Sequence, residues 1–431
     1  MHSALRPWYQ AATGMANVLA SMAPSASGKV WRSLRARRGL LDRWAAQTAR
    51  ARDRARPLVW WHAPSVGEGL QARPVAEAWR TAHPGMQQAY SFFSPSAEQF
   101  ARSVHADFTE YLPFDTVRGA ERLLDLLQPR LLVFVKLDVW PVLVERAVAR
   151  GVPVALLSAT LAEGSGRRSF LSRALLRDAY AALSLVGAID AANAERLIEL
   201  GVPRSRVRVT GDTRFDQVWR RATAVDRTSR HVRSTASDRP TLVAGSTWPS
   251  DEAVLMAAWE SLRRALPSAR LIVAPHEPTA AHLAPLLTWG RTRGMRTVTL
   301  GELERGEADP NADLIVVDRV GVLGDLYAQA TAAYVGGGFH RAGLHSAIEP
   351  AAFGAPVLFG PRHGGSREAG LLLAAGGATA VNGTAELENA LGRWLGHPGA
   401  CGTAGHAARA VVEAERGATD RSVALVSELL A

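Results

Sequence analysis

Short apolar runs alternate along most of this chain with longer segments in which apolar residues recur every three or four positions. Runs such as LVWWHA (58–63), LLVFV (131–135), TLVA (241–244) and AAYV (332–335) are too short for helices and rich in β-branched or aromatic residues, so they predict buried strands. The same signal predicts strands at 88–93, 153–158, 183–189, 206–210, 270–274, 297–300, 313–317 and 356–359. Between them the helical period predicts helices at 69–82, 116–127, 142–150, 169–180 and 191–200, then at 251–266, 278–293, 322–329, 346–353 and 366–375. Two final helices are expected at 385–395 and 404–430. Continuous rather than alternating apolar strands imply parallel sheets covered on both faces. The polar stretch 220–240 has no apolar period and reads as a connection. The expected fold class is α/β, with two doubly wound Rossmann-like domains, 58–225 and 226–431, facing across a cleft and preceded by a distinct segment 1–57.

A length of 431 residues suits two domains rather than one core. Charge then singles out the N-terminus. The formal net charge is +10, and residues 1–57 carry Lys29 and ten arginines against only Asp42 and Asp53. The body is therefore near neutral. Trp8, Tyr9, Met15, Val18, Leu19 and Met22, followed by Val30, Trp31, Leu34, Leu40, Leu41 and Trp44 among arginines, predict basic amphipathic helices suited to an anionic membrane surface. The alternative is an arginine-rich solvated helix. No run of 18 apolar residues predicts a spanning helix. Nucleic acid is disfavoured because no basic, aromatic platform recurs beyond residue 57. A lone Cys401 excludes intramolecular disulfides and cysteine-rich zinc sites, and fits a cytoplasmic location.

Candidate chemistry collects at the C-terminal ends of the predicted strands, where doubly wound sheets bind ligands. Ser65 and Glu68 follow the first strand, Lys136 and Asp138 the run LLVFV, and Asp212, Arg214 and Asp216 the run VRVTG. In the second half Ser246 and Thr247 follow TLVA, Pro275 and His276 follow LIVA, and Gly336, Gly337 and Gly338 follow AAYV. The glycines and the helix start near Ser346 suit a phosphate, and Glu349 suits ribose hydroxyls, which together describe a nucleotide-sugar site. Each residue has a structural alternative: a dipole-stabilised helix-start acid for Glu68, a helix cap for Asp138, an ion pair with Asp212 or Asp216 for Arg214, a surface histidine for His276. His340, His345 and His363 share no helix face with a third ligand, so no metal is expected.

The segments WWHAPSVGE, VTGDTRFD, AGSTWPSDE, APHEP, GVLGDLY, YVGGGF…GLHSAIEPA and FGP…REA occur in an order that resembles the Kdo (3-deoxy-D-manno-octulosonic acid) transferases over about residues 1–380. The resemblance implies a type B glycosyltransferase fold, CMP-Kdo as donor, a lipid A precursor as acceptor, inversion at the anomeric carbon, no cofactor, and a place at the cytoplasmic face of the inner membrane. It makes Glu68 the catalytic base and Asp138 a second acid. Ser65 and Lys136 fall on the acceptor side. Arg214, Ser246, Thr247, Pro275, His276, Gly336, Gly337, Gly338, His345, Ser346 and Glu349 fall on the donor side. The chain departs from the family pattern at Val135–Pro141, where members carry an acid-rich segment, and at Ser346, where they carry asparagine. Rival expectations are a type B transferase using a UDP-sugar and a non-catalytic membrane-associated scaffold.

Overall fold

The computed structural model describes residues 4–24 and 28–430. The chain divides into two compact units, Met1–Gln217 with Arg416–Ala431, and Val218–Glu415.

In the first unit seven strands, β1 (Leu58–His62), β2 (Gln87–Phe92), β3 (Phe108–Tyr111), β4 (Leu131–Val135), β5 (Val154–Ala159), β6 (Leu185–Ala188) and β7 (Val207–Val209), form a parallel sheet in the order β3-β2-β1-β4-β5-β6-β7. Sheet growth reverses between β1 and β4, so the loops after these two strands part at the switch point. The apolar runs are buried on both faces, as in Trp60, Trp61 and Phe134. The polar positions of buried β2 have a purpose: the indoles of Trp60 and Trp61 donate to Ser91 Oγ and Gln88 Oε1, each at 2.8 Å.

Three helices precede β1, at Arg6–Met22, Lys29–Arg35 and Leu40–Ala51. They correct the expectation that 1–57 is a segment distinct from the domain that follows. Leu40 and Trp44 lie in the same core as β1, and Trp44 Nε1 donates to the Tyr111 carbonyl at 2.9 Å. The arginines here are largely spent inside the unit. Arg37 is buried, donates to the carbonyls of Leu112 (3.1 Å), Phe93 (2.9 Å) and Ser33 (2.7 Å), and lies 3.8 Å over the Phe93 ring. Arg43 pairs with Glu110 at 2.8 Å, and Arg52 donates to the Leu127 carbonyl at 2.9 Å. Only the first two helices keep an apolar face outward, with Trp8 77% and Met22 73% exposed beside Met15, Val18, Leu19 and Val30. Among the described residues no helix is long and apolar enough to cross a membrane.

The second unit holds β8 (Thr241–Thr247), β9 (Arg270–Pro275), β10 (Thr297–Thr299), β11 (Leu314–Val316), β12 (Ala332–Val335), β13 (Val357–Phe359) and β14 (Ala378–Ala380), parallel in the order β10-β11-β9-β8-β12-β13-β14. Its strands feed two cores alternately. Leu242, Ala244, Leu271 and Val273 face one cluster, and Val243, Ile272 and Ala274 face the other, as a sheet with both faces covered requires. The switch point here lies between β8 and β12.

The boundary expected at 225/226 moves to Gln217/Val218, and the expected 404–430 helix is two helices, Pro398–Ala414 and Ala418–Ser427. They are separated by Gly417 at φ 85°, a left-handed break. The last helix returns to the first unit: Leu425 and Val426 join its core, and Asp216 accepts the amides of Gly417 and Thr419 at 2.6 Å each.

Candidate functional site

In the first unit the turn after β1 runs directly into the helix Val66–Ala82, which starts three residues earlier than its apolar period indicates. Glu68 therefore stands in the first turn, where the helix dipole favours a carboxylate. Its side chain is 15% exposed, and Lys136 Nζ reaches its Oε1 at 3.0 Å from the turn after β4. Ser65, at the N-cap, donates its hydroxyl to the other oxygen, Oε2. The structure thus joins Ser65, Glu68 and Lys136 at the β1/β4 switch point. Lys136 is held there at φ 71°, with its amide bonded to the Leu157 carbonyl (2.8 Å) and its carbonyl to the Thr160 amide (3.2 Å). Ser158 (φ 47°), at the register shift within β5, and Ser246 (φ 54°), in β8, are likewise left-handed. Non-glycine residues in this region cost of order 1 kcal/mol each and concentrate at functional sites.

Asp138 has a different partner. Its carboxylate pairs with Arg167, whose Nη1 also donates to the Leu137 carbonyl at 2.9 Å. Nor does it cap the helix Pro141–Ala149. Buried Asp115 takes the amides of Val142 and Leu143 there, each at 2.9 Å, and the Tyr9 hydroxyl at 2.8 Å. Arg214 belongs to the first unit, in the helix Thr213–Thr223, and its Nε and Nη2 hold Asp212 Oδ2 at 2.9 and 2.7 Å. Burial opposes ionisation of Asp212, but the Arg214 charge and hydrogen bonds prevail and hold its carboxyl below the usual range.

In the second unit the ends of β9, β8 and β12 adjoin, bringing Pro275, His276, Ser246, Thr247 and Gly336–Gly338 to one edge. The glycines are required by close backbone approach. A Cβ on Gly336 would lie 2.3 Å from the Ser246 carbonyl oxygen, on Gly337 2.2 Å from the Gly343 carbonyl oxygen, and on Gly338 2.4 Å from the Gly360 nitrogen. Their expected role as an open phosphate cradle needs correction. The Gly336 amide donates to the Gly245 carbonyl at 2.9 Å. Fully buried Asp251 accepts from the Gly337 amide at 2.8 Å, the Phe339 amide at 3.0 Å, the Trp248 amide at 3.0 Å and the Tyr334 hydroxyl at 3.1 Å. An internal carboxylate fills the nest that the glycine pattern suggested for a ligand's anion.

Thr247 is similarly committed. Its hydroxyl donates to Glu252 Oε1 at 2.7 Å, and His282 Nε2 meets the same carboxylate at 3.0 Å. Ser346 does not cap the helix Ile348–Ala352, whose N-cap position is Ala347. The hydroxyls of Ser246 and Ser346, the carboxylate of Glu349 and Nδ1 of His345 make no hydrogen bond among the described residues. Burial pushes the Glu349 carboxyl up, with the Arg221 charge pulling it down and Asp325 pushing it further up.

A residue that the sequence reading passed over organises the histidines. Trp248, between Thr247 and the helix Pro249–Ala265, stacks on His340 at 4.1 Å and on His276 at 4.6 Å, and donates Nε1–H to His345 Nε2 at 3.1 Å. His276 also stacks on His345, at 4.5 Å. The signal was an aromatic residue at a strand end otherwise lined with small and polar side chains. Among the described residues no cluster of three or more His, Cys, Asp or Glu side chains is arranged to hold a metal.

Residues 32–217 match the family model described as 3-deoxy-D-manno-octulosonic-acid transferase (kdotransferase). A 3-deoxy-D-manno-octulosonic acid transferase of Bordetella pertussis is 30% identical over 93% of this chain and 95% of its own length. The chain belongs to the Kdo transferase family. That makes it a glycosyltransferase. A Haemophilus influenzae Kdo transferase is 27% identical over 86% of the chain and 87% of its own. The fold is that of type B glycosyltransferases. Solved structures of a UDP-GlcNAc 2-epimerase from Neisseria meningitidis (TM-score 0.61, 14% identity, 86% of this chain and 99% of that one) and a glycosyltransferase from Rickettsia africae (0.55, 11%, 87% and 99%) share it.

Proposed function

We propose that this Kdo transferase moves Kdo from CMP-Kdo to a lipid A precursor in lipopolysaccharide synthesis, with inversion and without a metal or other cofactor. The observation that carries the proposal is Glu68, which the β1/β4 switch point positions with Ser65 on one oxygen and Lys136 at 3.0 Å on the other. In this mechanism Glu68 accepts the proton of an acceptor sugar hydroxyl. That oxygen bonds to the anomeric carbon of Kdo as the bond to the CMP phosphate oxygen breaks, and CMP leaves as the phosphate monoester. Lys136 supports the negative charge of the carboxylate before transfer and is available to the acceptor afterwards.

For the donor we assign the second unit's edge. The aromatic group of Trp248, His276, His340 and His345 offers flat surface, Ser246, Ser346 and His345 offer hydrogen bonds to phosphate oxygens, and Glu349 accepts from ribose hydroxyls. Thr247, Gly336, Gly337 and Gly338 shape that edge, with Pro275 ending β9. Arg214 and Asp138 act through their partners Asp212 and Arg167, as framework for the first unit's loops. The exposed apolar face of Arg6–Met22 meets an anionic membrane at the cytoplasmic face of the inner membrane, where the acceptor resides.

Thermal stabilisation by CMP and UDP tests the donor assignment: CMP raises the melting temperature, and stabilisation by UDP alone overturns it. Glu68→Gln tests the base: turnover falls by about 10²–10⁴ while CMP affinity stays. Retained turnover in that variant removes Glu68 from the role.

A further inference from the structure

Among the described residues two tryptophan-to-histidine hydrogen bonds stand at strand ends, one in each unit, and their difference is informative. In the first unit Trp140 Nε1 donates to His62 Nε2 at 3.0 Å, while His62 Nδ1 meets Ser91 Oγ at 2.9 Å. That imidazole is fully buried and both nitrogens are satisfied, so it is framework. In the second unit Trp248 Nε1 donates to His345 Nε2 at 3.1 Å, but Nδ1 of half-buried His345 has no partner among the described residues.

An indole N–H is a donor only, so the Nε2 that accepts from it carries no proton. A neutral His345 must then carry its proton on Nδ1, the nitrogen left for a ligand. We infer that Trp248 is a positioning residue that keeps His345 neutral and fixed as the Nδ1–H tautomer, so that it binds the nucleotide-sugar donor through a directed hydrogen bond rather than as a cation. The inference rests on the donor assignment above.

The surroundings act in the same direction. Protonating His345 would set Nε2–H against the indole N–H. His276 stacks on His345, and the charges of His276 and His340, when present, oppose a further cation. Burial is the largest influence and lowers the His345 pKa, followed by His276, with Asp251 the one facing group that raises it and His340 lowering it again.

The test uses the full-length protein and CMP as probe, with affinity measured by calorimetry at about pH 8, where CMP is fully ionised, and histidine tautomers read by ¹⁵N NMR. Trp248→Phe keeps a ring for His276 and His340 to stack on and removes the indole donor. In wild type the neutral His345 is the Nδ1–H form, and CMP shifts its Nδ1 signal. In Trp248→Phe the Nε2–H tautomer appears, the His345 titration moves up from its wild-type position, and CMP affinity falls several-fold. In the His345→Gln background, which has no ring to fix, Trp248→Phe has no further effect on CMP affinity. The inference is overturned by an Nε2–H tautomer in wild type, by an unchanged His345 tautomer and titration in Trp248→Phe, or by an effect of Trp248→Phe on CMP affinity that survives His345→Gln. Failure of the donor assignment looks different: CMP then leaves the His345 signals unmoved, while the tautomer still decides the tryptophan's role.

Discussion

Replacing Asp251 by asparagine tests whether an internal carboxylate builds the proposed donor edge. Oδ1 accepts from the Phe339 amide and the Tyr334 hydroxyl, and Oδ2 from the amides of Gly337 and Trp248, all within 2.8–3.1 Å. An asparagine keeps one acceptor oxygen and turns the other position into a donor. Its least costly orientation puts the NH₂ where Oδ1 was, because the Tyr334 hydroxyl can rotate and accept, whereas the Phe339 amide loses its partner. One orphaned buried N–H costs about 1–3 kcal/mol, and the two surviving amide bonds lose a charged acceptor, worth about 1 kcal/mol each. The expected loss is about 4 kcal/mol, or roughly 10 °C in melting temperature for a unit of this size. Calorimetric melting measures it, and CMP titration of the folded variant should show weakened binding, since the segment at Phe339 is released from the residue that anchors Trp248. A melting temperature within about 3 °C of wild type, with unchanged CMP affinity, would refute the reasoning.

Acid stability of the first unit should follow His62, whose burial pushes its pKa down to about 3. At His62 the folded state then binds fewer protons than the unfolded chain below about pH 6.5, so the His62 contribution is present above that pH and falls by about 1.4 kcal/mol per unit below it, offset from about pH 6 downward by buried Asp115, whose carboxyl is pushed up by burial to about 6. Urea unfolding from pH 7 to 5 checks this, and an NMR titration that finds His62 protonating above pH 5 contradicts it. For the membrane face, replacing exposed Trp8 and Met22 by alanine should cut flotation with anionic liposomes by about tenfold or more, at unchanged melting temperature. Unchanged flotation would leave the apolar face of Arg6–Met22 without that role.

Most strands of both sheets were legible because a doubly covered strand must be continuously apolar, as in LVWWHA and LLVFV. The strands missed, Phe108–Tyr111 and Ala378–Ala380, are edge strands with half-exposed positions, where that requirement lapses. The basic N-terminus misled for a related reason. Trp44 and Arg37 have the amphipathic spacing of a membrane helix, but the same spacing suits a helix packed on its own domain, and only tertiary partners such as Tyr111 and Leu112 decide between them. At the site, the glycine triplet signalled close approach to a ligand, and the approach it makes is to the chain's own backbone. Its amides turn inward because Asp251, which in sequence is an ordinary helix-start acid, supplies the anion. Thr247 was misjudged through the same blind spot, its hydroxyl being taken by Glu252. Strand ends gathered the candidate groups, and burial of nearby acids determined which of them remain available.

The most direct measurement is mass spectrometry of a lipid A precursor incubated with the purified protein and CMP-Kdo, with Glu68→Gln in parallel. The account predicts that the wild-type protein adds Kdo to the precursor and releases one CMP per residue transferred, and that the variant does neither while still binding CMP. An unmodified precursor with wild-type protein that binds CMP, or equal product from the variant, would contradict it.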